Sequence, residues 1–116
     1  MRLLQLGDND RLTFTKYLHP HEIPKYEYAI LSHTWGPDEE EVTFKDINEG
    51  TGSQKTGYQK IVFCGQQAAT NNLDYFWVDT CCIDKSNMTE YAEAINSMFR
   101  WYRDASRCYV YMTDVL

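Results

Sequence analysis

The sequence predicts an α/β fold of three layers, with a parallel central sheet, helices on its two sides and a β-hairpin at the N-terminus. Three observations predict it. Two nearly unbroken apolar runs, Tyr28-Ala29-Ile30-Leu31 and Tyr75-Phe76-Trp77-Val78, turn polar at their carboxyl ends, as strands covered on both faces do. Two other segments repeat apolar residues at helical spacing. The resulting order, strand–helix–strand–helix–strand, calls for parallel pairing through right-handed crossovers.

Each element has its own signal. Residues 2–6 and 11–15 are short apolar-rich runs around Gly7-Asp8-Asn9-Asp10, a hairpin with a loop longer than two residues. Residues 16–27 hold Pro20 and Pro24 and read as a connector. The first buried strand, Tyr28 to His33, is closed by Trp35-Gly36-Pro37, and Val42-Thr43-Phe44 adds a short extended piece. Residues 48–57, rich in Gly, Thr and Ser, form a loop. Thr56 and Gln59 are placed as a capping box for the first helix. Its face is Tyr58, Ile61, Val62, Gly65, Ala68, Ala69 and Asn72, with residues small enough for close approach to a sheet, and it ends near Asn71-Asn72. The second buried strand is Tyr75 to Asp79, followed by a loop from Thr80 to Ser86. Asn87 and Glu90 form the capping pair of the second helix. Its apolar stripe is Met88, Tyr91, Ala92, Ile95, Met98, Phe99 and Tyr102, read as one core-facing band. Cys108 to Met112 is the third strand.

Composition narrows the function. A chain of 116 residues fits one domain, and 43% apolar residues can build one core. The net charge of −6 and the lack of a basic stripe argue against nucleic acid and against anionic membrane as partners. No run approaches the roughly 20 apolar residues of a membrane span. The N-terminus turns polar by Gly7, too early for a secretory signal, so a cytoplasmic location is expected. The four cysteines include no CxxC, and the three histidines do not fall at zinc spacing, so no metal site is expected. Buried thiols are the plain reading, with a vicinal Cys81–Cys82 disulfide the alternative. The acidic run Asp38-Glu39-Glu40-Glu41 reads as a solvated loop.

Ligands of open α/β sheets bind at the carboxyl ends of the strands. Here those ends carry Ser32, His33 and Trp35 after the first buried strand, and Asp79, Cys81 and Asp84 after the second. A hydroxyl, an imidazole, an indole and carboxylates on one rim suit a nucleotide or sugar, the aromatic stacking a base and the carboxylates accepting from ribose hydroxyls. Each has a structural alternative: His33 as a strand-end hydrogen bonder, Trp35 as a core lid, Asp79 as an Asx-turn, Cys81 as an inert thiol. The sequence has no phosphate-cradling glycine loop, no GxSxG and no HExxH.

The longer motifs resemble a known family. Tyr28-Ala29-Ile30-Leu31-Ser32-His33-Thr34-Trp35-Gly36 is similar to the first signature block of fungal heterokaryon-incompatibility (HET) domains. Gly57-Tyr58-Gln59-Lys60-Ile61 through Trp77-Val78-Asp79-Thr80-Cys81-Cys82-Ile83-Asp84-Lys85-Ser86 resembles the second, continuing into Glu93–Tyr102 and Cys108–Tyr111. The resemblance covers nearly the whole chain and identifies residues 1–116 as the N-terminal part of one such domain. It implies fungal origin and a role in self/non-self recognition and programmed cell death. HET domains are also similar to Toll/interleukin-receptor (TIR) domains, which self-associate and in some cases cleave NAD, so the fold is expected to be an incomplete flavodoxin- or TIR-like one. HET domains continue into a further block with a Trp-Thr-Leu-Gln-Glu-Leu-like segment, whose glutamate is the catalytic candidate by the TIR comparison. The sequence stops at Leu116, before it, and Glu90 and Glu93 do not match.

The expected function is therefore a signalling module that works by self-association or by binding other HET or receptor proteins. The alternative is a nucleotide-binding or NAD-hydrolysing domain, with NAD as substrate rather than resident cofactor and with little activity expected of this chain.

Overall fold

Strand β3, Tyr28–His33, lies inside the sheet, its first four residues buried, because an apolar run needs cover on both faces. The computed structural model describes residues 1–33 and 36–111. Along the chain come β1 (Leu4–Leu6), β2 (Leu12–Phe14), β3, α1 (Phe44–Glu49), α2 (Thr56–Thr70), β4 (Tyr75–Trp77), α3 (Met88–Asp104) and β5 (Arg107–Tyr111). They form one five-stranded sheet in the order β2-β1-β4-β3-β5.

The sheet is mixed rather than parallel throughout. Strands β4, β3 and β5 are parallel, with Ala29 opposite Phe76 and Ile30 opposite Cys108. The N-terminal hairpin does not stand apart. Strand β1 joins the edge of β4 in antiparallel sense, Leu4 opposite Phe76. The apolar side chains of β1 explain this, since Leu3 and Leu4 are fully buried and an isolated two-stranded hairpin could not hide them.

The two long helices lie on opposite faces. A Cβ on Gly65 of α2 would stand 3.0 Å from Phe76 Cζ and from Leu6 Cβ, so glycine is what allows this close approach. Trp77, one residue on and therefore facing the other way, packs against Trp101 and Tyr102 of α3 at ring-centroid distances of 5.5 and 6.2 Å. The Tyr28 hydroxyl also reaches across and donates to the Trp101 carbonyl at 2.6 Å.

Three local expectations need correction. Val42-Thr43-Phe44 is not a strand, and helix α1 occupies Phe44–Glu49 within what reads as strand and loop. Its signal is Thr43 and Asp46, a reciprocal capping box, with Gly50 at φ 73° closing it. Helix α2 starts at Thr56, but the Thr56–Gln59 box does not form. Instead Glu40 caps the helix from outside, accepting from the Thr56 hydroxyl at 3.0 Å and from its N–H at 3.4 Å. In α3 the Asn87 side chain accepts from the Glu90 N–H at 3.1 Å as predicted, whereas the Glu90 carboxylate turns to Arg2 and to the Asp84 N–H.

The largest difference concerns which side of α3 is buried. The residues against the sheet are Glu90, Ala94, Ser97 and Trp101. Tyr91, Met98 and Tyr102 are half-buried, and Met88, Ile95 and Phe99 are 77%, 60% and 77% exposed. The apolar band therefore sits roughly a third of a turn away from the side that packs on the sheet. The small residues Ala94 and Ser97 let the helix approach, and Trp101 supplies most of the contact. No helix of the described residues is long and apolar enough to cross a membrane.

Candidate functional site

The crossover after β3 leaves toward α2 and the one after β4 toward α3, so the two loops part at the carboxyl edge of this adjacent pair. That is where open α/β sheets form their crevices. The geometry brings His33, the last residue of β3, beside Asp79, two residues past β4. Their Nε2 and Oδ1 atoms lie 2.9 Å apart, with side chains 1% and 15% exposed, and the imidazole N–H donates to the carboxylate. A short link of this kind fixes the ring and ties the two strand ends together.

The other candidates differ in their surroundings. Ser32 is half-buried on β3, opposite Val110. Trp35 lies outside the described residues. Cys81 is fully buried, and burial first, then its hydrogen bond with Cys82, push its thiol well above the ordinary range. It stays protonated and inert. All four cysteines are free thiols, so the vicinal disulfide does not form. Asp84 builds its own loop, its Oδ1 accepting from the Ser86 N–H at 3.1 Å and from the Ser86 hydroxyl at 2.6 Å. Among the described candidates, His33 and Asp79 are brought into direct contact.

Two neighbouring residues were not anticipated. Glu41, read as part of a solvated acidic loop, is buried in an ion pair with Lys60 of α2 at 2.8 Å. The same oxygen accepts from the Gly36 N–H at 2.7 Å, which anchors the chain just after the β3 loop. The loop rests directly on α2, since a Cβ on Gly57 would lie 2.6 Å from the Glu40 carbonyl oxygen and 2.8 Å from Glu41 Oε1. Pro37, Glu41, Gly57, Lys60 and Tyr111 help to line a cavity of about 300 Å³ there. A sequence signal existed. Lys60 sits among Gly57, Ile61 and Cys64 on the packed side of α2, and a lysine in that position requires a buried carboxylate.

A different kind of surface lies on the outside of α3. Met88, Ala92, Ile95 and Phe99 recur at intervals of four, three and four residues, the spacing of a helix–helix seam, and all four are exposed. Their large members face solvent over about three turns of helix. On the same side of the sheet, Val110 of β5 is also exposed, because Tyr109 and Tyr111 turn toward α2.

Comparison with known proteins supplies the biological context. The model of the family described as "Heterokaryon incompatibility protein (HET)" matches residues 28–115. The chain is 62% identical over 115 residues to "Vegetative incompatibility protein HET-E-1" of Podospora anserina. That match covers 99% of the chain but 8% of the relative, so the chain spans a small part of the relative's length. No solved structure matches.

Proposed function

We propose, from the premise that this chain belongs to the heterokaryon incompatibility (HET) family, that it is an interaction module of fungal vegetative incompatibility and programmed cell death. It acts by self-association or by binding a protein partner. One observation carries this reading: α3 turns its apolar seam, Met88, Ile95 and Phe99, to solvent instead of into the core. Hiding a side chain of this kind from water is worth about 1.5–3 kcal/mol. Single exposed apolar residues are ordinary, but an aligned row along one helix marks a contact surface.

The nucleotide-binding or NAD-hydrolysing alternative is not favoured. Cys81 is sealed in the core, and Asp84 is committed to its loop.

Phe99→Lys tests the reading. Expressed in fungal cells competent for incompatibility, the wild-type chain is expected to lower viability, and the variant to abolish most of that effect at equal protein level. Phe99 is exposed, so the circular dichroism spectrum should be unchanged. A variant that is folded, equally abundant and equally toxic would rule the α3 surface out.

A further inference from the structure

We propose that the groove between β2 and α1 takes an extended segment of a partner protein, which adds to β2 as a further strand. The observation behind it is an open row of main-chain groups. Strand β2 is one edge of the sheet. The Thr15 N–H donates to the Leu3 carbonyl at 2.9 Å, and the Gly7 N–H to the Arg11 carbonyl at 2.8 Å. Arg11, Thr13 and Thr15 therefore turn their main chain toward β1, and Leu12 and Phe14, one residue out of phase, turn theirs away. Tyr58 closes one end of this row, its hydroxyl donating to the Asp10 carbonyl at 2.8 Å and its oxygen facing the Leu12 N–H. Among the described residues, nothing pairs with the Leu12 carbonyl or with the Phe14 N–H and carbonyl. Main-chain donors and acceptors spaced at the two-residue period are matched by another extended main chain.

The edge is not bare. Helix α1 stands beside it, with Phe44 stacked on Phe14 at 5.2 Å between ring centroids, and a groove of about 700 Å³ runs between strand and helix. It is lined by β2 along its whole length and by Phe44, Ile47 and Asn48 of α1. The side chains of an added strand alternate, one set lying along Phe44 and Ile47 and the other beside the exposed Thr13. The segment that fits therefore alternates apolar and polar residues. Two charged groups of the groove are already engaged, Arg2 with Glu90 and Asp46 with Lys55, so the main chain rather than a charge is what the groove reads. The β2 of a second copy is flanked by its own α1, which leaves it less room in the groove than a free segment has. No residue of α3 lines the groove, so it is a surface apart from the α3 seam.

The probe is a display library of heptapeptides with apolar and polar residues in alternation, selected on the whole chain. An enriched peptide is then titrated into isotope-labelled chain and followed by amide NMR. Shifts are expected at Leu12, Phe14 and Asn48, and the Phe14 amide should exchange with solvent about tenfold more slowly when the peptide is bound. N-methylation of one alternating set of peptide amides removes the donors that face β2, and should weaken binding about tenfold, the effect of losing an interstrand hydrogen bond. N-methylation of the other set should leave binding within about twofold. A library that yields no binder would overturn the inference. So would a binder whose shifts fall elsewhere, α3 included, or one indifferent to N-methylation of either set.

Discussion

Replacing Lys60 with methionine is expected to destabilise the chain by about 3–5 kcal/mol, because it strands the buried Glu41 carboxylate without its cation. The pair is held at 2.8 Å beneath the loop that follows β3, and the same Glu41 oxygen anchors the Gly36 N–H. Methionine keeps most of the volume of lysine, so the loss isolates the charge rather than a cavity. Equilibrium urea unfolding reads it directly. The double variant Lys60→Met with Glu41→Leu is expected to recover most of the loss, since an apolar pair in place of a buried ion pair is often close to neutral. A single variant within about 1 kcal/mol of wild type would show that the pair is open to water, as surface ion pairs are.

Trp77→Ala is expected to cost about 3–5 kcal/mol, the range for deleting a large aromatic from a packed core. Trp77 is fully buried and supports α3 through edge-to-face contacts with Trp101 at 5.5 Å and Tyr102 at 6.2 Å. The informative comparison is Phe99→Ala on the outer side of the same helix. Phe99 is exposed, and its removal from the dilute protein is expected to change stability by no more than about 0.5 kcal/mol. Thermal and urea unfolding of both variants at low concentration checks the contrast. Equal losses would mean that Phe99 belongs to the core and that α3 is rotated relative to the arrangement described above.

The contrast also marks where the sequence was legible. Buried strands announce themselves by continuous apolar runs, so β3 and β4 were readable, and so was their parallel adjacency, which places His33 at Asp79. The hairpin was readable as an element but not as part of the main sheet. Joining β1 to β4 is a tertiary choice driven by burying Leu3 and Leu4, and nothing local encodes it. Helix α1 was hidden by its length of six residues, too short for periodicity, although the Thr43–Asp46 cap and Gly50 bracketed it.

Two errors had a shared cause. The apolar stripe of α3 reads as a core face because amphipathic helices usually bury that face. In this helix Trp101, with small neighbours Ala94 and Ser97, faces the sheet, Tyr91, Met98 and Tyr102 pack at its margin, and Met88, Ile95 and Phe99 are left outside. The acidic run reads as solvated because carboxylates usually are, yet Glu40 caps α2 and Glu41 pairs with Lys60. In both places residue type gave the ordinary reading, while the position of a second residue decided the outcome. Cys81 shows the converse: two residues from Asp79 in sequence, it is fully buried in the core.

The claim on which the functional account depends is that the seam of α3 is open in the single molecule. Peroxide oxidation of methionine in dilute protein, followed by peptide mass spectrometry, measures it with an internal reference, because Met88 is 77% exposed and Met1 is 2% exposed. In dilute protein Met88 should oxidise rapidly and Met1 slowly. A Met88 that resists oxidation as Met1 does would contradict it.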